Sequence, residues 1–308
     1  MSNINQINPL YQEFIPSPLN YIGGKYRLLK QIFPFFPKDI NTALDLFCGG
    51  ASVGINIEAK NIILNDSLVE LTRLYQTLQS QDLETTFNVI CKIINTFKLS
   101  NSAKYGYEFY GCNSQKGLSS YNKKQFLKLR EQYNKEKYIF HFFVLIVFAF
   151  NNQIRFNSKG EFNLPCGKRD FNTNMQEKLK RFIINLQSKN IEISNKDFRK
   201  IDLDVLDSKS FVYIDPPYFL ATAPYNENNA WELQDELDLL EFLEMLDCKS
   251  IKFALSNVIY HKGKEHKVLK NWLKNKSQFK THFLNFHYKN CNYQTKRNLS
   301  KEVLIVNF

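Results

Sequence analysis

Residues 42–54 read TALDLFCGGASVG, an apolar segment that runs directly into a glycine-rich one. The first half has the composition of a buried strand, and the glycines predict a tight turn before a helix. A strand, a glycine-rich turn and a helix in this order are typical of a doubly wound α/β sheet, whose turn lets a ligand approach the backbone. The stretch therefore predicts an α/β fold with a ligand site that includes Asp45, Phe47, Gly49 and Gly50.

The glycine spacing argues against two common ligands of such turns. It does not fit Gly-x-Gly-x-x-Gly, and no Lys-Ser/Thr pair follows it, so a dinucleotide or a triphosphate is a poor match. A second predicted strand, residues 61–64, ends at Asn65-Asp66. An acid in this place holds ribose hydroxyls in doubly wound folds, which predicts a nucleoside ligand. Alternatively, Asp66 caps the helix predicted over residues 67–78.

Another predicted strand ends in residues that form a candidate catalytic segment. Residues 211–218 read FVYIDPPY. Pro216 and Pro217 lack an N–H and fix φ, so the chain leaves the sheet in one stiff, extended conformation. The Asp215 carboxylate and the Pro216 carbonyl would then be two adjacent acceptors, with the Tyr218 ring close behind. This arrangement suits a planar ring that carries an NH2 group, although a proline-rich turn with a capping Asp is the alternative.

Residues 21–25, which read YIGGK, form a further candidate site. Gly23 and Gly24 predict a tight turn, and Lys25 lies at the start of a helix predicted to run to about Phe36. A helix N-terminus attracts anions and carboxylates, and a lysine adds positive charge there. An exposed lysine on an amphipathic helix is the alternative.

The alternation of strands and helices is interrupted between residues 76 and 175. Outside this segment, further strands are predicted at residues 191–194, 251–255, 283–288 and 302–308, and helices at residues 174–187 and 232–246. A polar, basic hairpin is predicted at residues 289–301. Within the segment, helices are predicted at residues 83–99 and 123–133, and the apolar run 138–150 is a buried helix or strand. Residues 76–175 are therefore predicted to be an insertion into one α/β domain made of residues 1–75 and 176–308.

The insertion ends in a predicted β-hairpin. Residues 151–165 read NNQIRFNSKGEFNLP, in which Asn-Ser-Lys-Gly separates two alternating segments. Its side chains are of the types that read base edges or hold phosphates. They are Asn151, Arg155, Lys159 and Asn163, and Lys168 and Arg169 continue the basic track. An ordinary solvated hairpin is the alternative.

Composition points to an anionic partner and a reducing compartment. The 308-residue chain has a formal net charge of +11 and 15% aromatic residues, which fits nucleic acid. Its six cysteines include no Cys-x-x-Cys pair, which argues against a zinc site or a disulfide framework. Neither a signal peptide nor an apolar run long enough to span a bilayer is visible. A soluble, cytoplasmic protein without a metal is expected.

Taken in order, these motifs resemble those of the DNA adenine-specific methyltransferases, namely the Dam methylases and their restriction-system relatives. The resemblance covers nearly the whole chain. It is carried by YIGGK, LFCGG, ND, RFNSKGEFNLPCG, DPPY and LSN. Two residues depart from the family pattern: Tyr21 stands where Trp is frequent, and Ala51 stands where a third glycine is common.

The resemblance implies a Rossmann-like, doubly wound fold that binds S-adenosylmethionine and carries a mainly helical target-recognition insertion with a β-hairpin. The implied cofactor-binding residues are Tyr21, Gly23, Gly24, Lys25, Asp45, Phe47, Gly49, Gly50, Asp66 and Asp215. The implied catalytic residues are Asp215, Pro216, Pro217 and Tyr218. The implied DNA-binding residues are Asn151, Asn152, Arg155, Asn157, Lys159, Asn163, Pro165, Lys168 and Arg169.

The expected reaction is site-specific methylation of the N6 amine of an adenine flipped out of duplex DNA, because the amine cannot be reached inside the helix. The expected partners are double-stranded DNA and a restriction endonuclease that acts on the same site without a stable complex, and the chain is expected to be a monomer. Methylation of cytosine N4, of cytosine C5 through a cysteine, or of RNA or protein glutamine remains an alternative, as does a non-enzymatic DNA-binding module.

Overall fold

A computed structural model describes residues 13–21, 23–221, 231–285 and 300–308 of the chain. Its strands are β1 (Thr42–Asp45), β2 (Asn61–Asn65), β3 (Ile191–Ser194), β4 (Phe211–Ile214), β5 (Lys252–His261), β6 (Lys264–Glu265), β7 (Lys280–Leu284) and β8 (Ser300–Val306). Its α-helices are α1 (Leu29–Ile32), α2 (Val69–Ser80), α3 (Leu83–Thr96), α4 (Ser102–Tyr105), α5 (Ser119–Glu136), α6 (Ile139–Phe148), α7 (Thr173–Ser188), α8 (Leu233–Cys248) and α9 (Lys267–Lys274).

The strands form one sheet in the order β3-β2-β1-β4-β5-β8-β7, and β6 pairs with β5. The pairs from β3 to β5 are parallel, whereas β8 is antiparallel to both β5 and β7. The strand order reverses between β1 and β4, which is the topological switch point where doubly wound sheets bind ligands. The predicted Rossmann-like α/β fold is confirmed.

Each central strand contributes side chains to both faces of the sheet, because successive residues of a strand point in opposite directions. On β4, Phe211 and Tyr213 belong to the larger of two apolar clusters, whereas Val212 and Ile214 belong to the other. The larger cluster includes residues of α2 and α7, and the smaller includes residues of α8. Burial on both faces explains why β4 is apolar throughout, without the alternation of a half-exposed strand.

Helices α3 and α5 pack against α6. Every residue of α6 is buried, and the helix contacts α2, α3 and α5. The apolar run 138–150 is therefore mainly a helix. Its side chains lie in the same apolar cluster as those of α2 and α7, so this segment shares a core with one face of the sheet. None of the helices in the described part of the chain combines the length and the apolar character that crossing a bilayer requires.

Two predicted helices differ from the structure. After the glycine turn there is only a 3₁₀ turn, Gly54–Asn56, because the Asp45 carboxylate accepts a hydrogen bond from the Gly54 N–H and Asn56 is bonded to Ile15. The helix predicted from Lys25 to about Phe36 is broken into 3₁₀ turns on either side of the four-residue α1, with Pro34 near the start of the second. Proline removes one N–H donor from such a helix.

Three strand predictions near the C-terminus have different outcomes. The strand predicted at residues 251–255 extends to His261 in β5, and the one predicted at 302–308 corresponds to β8. The strand predicted at residues 283–288 corresponds to β7, Lys280–Leu284, and its last three residues lie outside the described residues. The predicted hairpin 289–301 lies almost entirely outside them as well, and only its last two residues are described, as the start of β8.

Candidate active site

A cleft of about 380 Å³, measured to its open mouth, lies at the carboxyl ends of β1 and β4. This volume includes the solvent space at the open mouth of the cleft. The lining residues are Tyr21, Gly23, Gly24, Lys25, Asp45, Phe47, Cys48, Gly49, Gly50, Ser52, Val53, Tyr213 and Asp215. Among the predicted cofactor-binding residues, only Asp66 is absent from this lining. Three separate parts of the sequence therefore meet at the predicted edge of the sheet.

The glycine turn is shaped by close contact with Tyr21. A Cβ atom on Gly49 would lie 2.8 Å from Tyr21 Cδ1, and the φ of Gly49 is +47°. Both facts exclude larger residues, because a side chain would clash and the backbone conformation is unfavourable for L-residues. The Gly49 carbonyl accepts a hydrogen bond of 2.6 Å from the buried Tyr75 hydroxyl, which stabilises the turn from the opposite side.

Asp66 supports this turn from outside the cleft. Its two carboxylate oxygens accept hydrogen bonds from the N–H groups of Gly49 and Leu68, each at 2.9 Å. The side chain is buried, and burial raises its pKa. In the structure Asp66 thus connects the glycine turn to the start of α2, which is close to the capping alternative. A contact with a cofactor ribose stays a prediction.

Asp45 presents an unsatisfied acceptor at the cleft. Its Oδ2 atom accepts a 2.8 Å hydrogen bond from the Gly54 N–H, but its buried Oδ1 atom has no hydrogen-bond partner among the residues that the structure describes. Burial is the main cause that raises the pKa of Asp45 to about 8; the charges of Asp215 and Asp66 contribute to the increase, and the hydrogen bond from Gly54 opposes it. A buried polar atom without a partner is costly, so this oxygen suits a ligand that brings a donor, above all a cationic amine.

Asp215 is held by two side chains. Lys25 Nζ lies 2.9 Å from Asp215 Oδ2, and the Tyr218 hydroxyl donates a 3.0 Å hydrogen bond to Oδ1. The ammonium also donates to the Gly23 carbonyl at 2.8 Å and lies 4.9 Å from the centre of the Tyr218 ring. Burial raises the pKa of Asp215, whereas Lys25 and Tyr218 lower it. The sequence predicts each of these residues as part of the site, but not the ion pair between Lys25 and Asp215.

An aromatic cluster that the sequence reasoning missed adjoins the cleft. The ring of Phe47 lies 5.5 Å from that of Phe198 and 5.7 Å from that of Trp231. Trp231 Nε1 donates a 2.7 Å hydrogen bond to the buried Glu236. Phe198 could have been found, because it follows shortly after β3, whose carboxyl end lies at the same edge of the sheet. Nothing local to Trp231 distinguishes it.

The predicted hairpin is a short antiparallel return. It contains two isolated bridges, Phe156 with Phe162 and Ala149 with Cys166, and no regular ladder. The rings of Phe156 and Phe162 pack against Phe142 of α6, which fixes the return on the helical core. The two segments run antiparallel, as the predicted β-hairpin requires, but they pair only at these two bridges and do not form regular strands.

The asparagines of the return bond within the protein. Asn157 accepts hydrogen bonds from the N–H groups of Lys159 and Glu161, and Asn152 donates to carbonyls at the end of α6. Arg155 Nε donates a 2.7 Å hydrogen bond to Asn163 Oδ1, which orients the guanidinium.

The remaining predicted DNA contacts are exposed, namely Asn151, Lys159, Pro165, Lys168 and Arg169. The carbonyl of Asn151 accepts a 2.8 Å hydrogen bond from Asn20 Nδ2, so the base of the return is attached to the segment that precedes Tyr21.

Residues 21–295 match the family of D12 class N6 adenine-specific DNA methyltransferases, and the chain belongs to this family. It is 37% identical over 303 residues to the modification methylase StsI of Streptococcus sanguinis, and 36% identical over 301 residues to the type II methyltransferase M.FokI of Planomicrobium okeanokoites. Each comparison covers 96% of this chain and 43% of the relative, so the chain spans less than half of their length.

A third relative matches over most of its own length. The type II methyltransferase M.MjaIII of Methanocaldococcus jannaschii is 27% identical over 263 residues, which are 78% of this chain and 83% of the relative. The family implies S-adenosylmethionine as the methyl donor. The cleft fits this cofactor in two respects: Asp45 offers an unpaired acceptor for its amino group, and aromatic rings adjoin the cleft for its nucleoside.

Proposed function

We propose that this chain transfers a methyl group from S-adenosylmethionine to the N6 amine of an adenine that has been flipped out of duplex DNA. The observation that carries the proposal is the Asp215 carboxylate, held by Lys25 and Tyr218 at the edge of a cleft that fits the cofactor. The relatives are named as a modification methylase and type II methyltransferases, which supports site-specific action within a restriction–modification system.

Asp45, Tyr21 and the glycine turn would hold the cofactor. The Oδ1 atom of Asp45 would accept a hydrogen bond from the amino group, and the lack of side chains on Gly49 and Gly50 would allow close approach to the backbone. Asp66 would contact the ribose while it still accepts the hydrogen bonds that hold the glycine turn. It would therefore both bind the cofactor and support the turn. When bound, the cofactor supplies an electrophilic methyl group on a sulfonium.

Asp215 acts as an oriented acceptor for the target amine. Each oxygen of a carboxylate can accept more than one hydrogen bond, so Asp215 can accept an amine N–H while it still contacts Lys25 or Tyr218. The Lys25 ammonium lowers the pKa of this carboxylate and so favours its ionised form, against the larger opposite effect of burial. The Pro216 carbonyl would accept the second N–H, and the stiffness of Pro216 and Pro217 holds both acceptors in place. The transfer then depends on orientation more than on base strength.

The Tyr218 ring provides the surface for the flipped base. Extruding a base costs a few kcal/mol, and stacking on an aromatic ring returns about 1–3 kcal/mol. The Lys25 ammonium lies close to the Tyr218 ring and makes a cation–π contact with it. We therefore expect Lys25 to position both groups that contact the target adenine.

Residues 76–175 would form the target-recognition part. Arg155, oriented by Asn163, would contact a base edge, and Lys159, Lys168 and Arg169 would contact phosphates. We further propose that the chain works as a monomer on cytoplasmic DNA, and that any cognate endonuclease acts on the same site without a stable complex.

Cysteine-dependent methylation of cytosine C5 is disfavoured by the surroundings of Cys166. That reaction needs a thiolate near the cofactor, whereas burial raises the pKa of the Cys166 thiol to about 12. Cys166 also lies at the base of the antiparallel return, paired with Ala149, and is not part of the cleft lining.

The proposal is tested by incubating the purified chain with tritiated S-adenosylmethionine and DNA and then separating the nucleosides. We expect the label in N6-methyladenine. Label in a methylcytosine, or no incorporation into adenine with a folded protein, would contradict the proposal.

A further inference from the structure

A group of exposed aromatic side chains lies between α3 and the first turn of α5. Tyr105, Phe109 and Tyr121 are 47%, 67% and 48% exposed, and Phe109 is the most exposed large apolar side chain among the described residues. The ring centroids of Tyr105 and Phe109 are 4.8 Å apart in a stacked pair, and Tyr110 contacts both Phe109 and Tyr121. We call Tyr105, Phe109, Tyr110 and Tyr121 the aromatic platform.

The platform is attached to the protein through Tyr110, and the segment that precedes it is held by Asp170. The Tyr110 hydroxyl accepts a 2.7 Å hydrogen bond from the Asn101 N–H. The buried Asp170 carboxylate accepts hydrogen bonds from the Ser100 hydroxyl and from the N–H and hydroxyl of Ser102. Because the Tyr110 ring is held in place before any partner arrives, ordering it on binding costs little entropy.

The platform is continuous with two of the predicted DNA contacts. The Arg169 guanidinium lies 3.3 Å from the Tyr107 hydroxyl and donates to the Ser114 carbonyl. Lys168 Nζ donates to the Gln115 carbonyl at 3.4 Å. The loop that carries the platform therefore lies against the exposed basic residues at the end of the antiparallel return.

The charge around the platform favours a polyanion. Residues 98–128 contain six lysines and one acidic residue, Glu108. Lys104 Nζ lies 5.0 Å from the centre of the Tyr105 ring, so a cation and an exposed ring form one surface. Lysines on phosphates and aromatic rings on sugars or bases are a combination that proteins use on nucleic acids.

We infer that the aromatic platform binds duplex DNA beside the recognised site, with Lys104, Lys168 and Arg169 on phosphates and the rings against the sugars and base edges of a groove. The inference rests on the proposed function and extends its DNA contact beyond the antiparallel return. The surface would lengthen the footprint without reading the target sequence itself.

The test compares two duplexes that carry the site on which the enzyme acts. One ends at the site, and the other is extended on each side by about 10 base pairs, which is one helical turn. The wild type should bind the longer duplex about tenfold more tightly, because only the flanks reach the rings and the basic residues beside them. The double variant Tyr105→Ala/Phe109→Ala should lose most of this preference and keep its kcat at saturating DNA. Phe283→Ala, at an equally exposed phenylalanine on β7, is the matched control and should keep the preference.

Lys104→Ala provides a second measurement that does not depend on removing apolar side chains. On the longer duplex it should reduce the slope of log affinity against log salt by about one, and on the short duplex it should change nothing.

An unchanged length preference in the double variant, with an unchanged melting temperature, would overturn the inference. It would also be overturned if the double variant lost self-association or binding of an acidic protein but kept DNA binding, because the platform would then be a protein interface. If the wild type prefers long DNA but transfers no methyl group to adenine, the proposed function fails while the inference about the platform stands.

Discussion

The polar side chains of the cleft at the sheet and those of the antiparallel return differ in how they are hydrogen-bonded within the protein. In the cleft, Asp45 has an acceptor without a partner in the described part of the chain, and the Asp215 carboxylate, paired with Lys25, is part of the lining. In the return, the side chains of Asn152, Asn157 and Asn163 bond to neighbouring groups of the protein. The cleft is thus arranged for a ligand with defined donors. The return is arranged to hold its own shape and to present a few exposed residues.

This difference predicts that single substitutions in the cleft affect chemistry and cofactor binding strongly. Substitutions in the return should affect DNA affinity and site discrimination more moderately, since several residues share that work.

The largest effect is expected for Asp215→Asn. The variant keeps the shape of the side chain but removes the charge that Lys25 contacts and turns one acceptor into a donor. We expect a loss of methyl transfer of about 10²–10³-fold or more in single-turnover assays, as for other preorganised electrostatic groups, with DNA binding retained. The matched control Asp204→Asn, at an exposed aspartate, should be fully active. Retained activity in Asp215→Asn would remove this residue from the mechanism.

The next largest loss of methyl transfer is expected for Lys25→Met, and this loss should depend on pH. Burial raises the pKa of Asp215 and Lys25 opposes the increase, so removal of the ammonium raises this pKa further. The ionised carboxylate exists above its pKa, and the acid limb of the rate–pH profile should therefore move to higher pH, with partial recovery under basic conditions. Lys30→Met, at an exposed lysine of α1, is the control. A uniform loss at every pH would show that Lys25 acts only on structure or cofactor binding.

Asp45→Asn should separate cofactor binding from stability. The amide can still accept from Gly54, but it lacks the charge that suits a cationic amine, so cofactor affinity measured by calorimetry should fall by about tenfold or more.

In the absence of cofactor, the same substitution should stabilise the protein. The pKa of Asp45 is raised to about 8 on folding. Between the ordinary pKa of an aspartate and about pH 8, the unfolded chain gives up this proton more readily than the folded protein, so the wild type loses stability as the pH rises through this range. Without cofactor, Asp45→Asn should therefore melt at a higher temperature than the wild type above pH 8, and the gap should close at acidic pH. Equal melting curves at all pH values would contradict the burial of a charge at this position.

The smallest effect is expected for Arg155→Ala. If the guanidinium contacts a guanine with two hydrogen bonds, discrimination between sites should decrease by about 1–3 kcal/mol, with the maximal rate on the best site preserved. Asn163→Ala, which removes the side chain that orients Arg155, should produce a weaker change in the same direction. An equal loss of affinity on all sequences would instead make Arg155 a phosphate contact.

The location of the cleft could be predicted because it depends on strand topology. Apolar segments that end at Asp45, Asn65 and Asp215 read as parallel strands, and the carboxyl ends of such strands meet at one edge. The ion pair between Lys25 and Asp215 could not be predicted, because it depends on how a 3₁₀ turn is placed against a strand distant in sequence.

The predictions that differ from the structure have local physical causes. The expected helix after the glycine turn is replaced by Gly54–Asn56, since side chains of Asp45 and Asn56 bond this segment to other parts of the chain. Asp66 supports the turn through Gly49, a contact that its position in sequence does not indicate. Trp231 reaches Phe47 only through the packing of the residues before α8.

The most direct test of the central claim is single-molecule sequencing of DNA from cells that express either the wild type or Asp215→Asn. For the wild type we predict N6-methyladenine in one defined sequence context, and for the variant we predict none at that site. Modified cytosine in the wild-type sample, or methyladenine that persists with Asp215→Asn, would contradict adenine methylation that depends on this carboxylate.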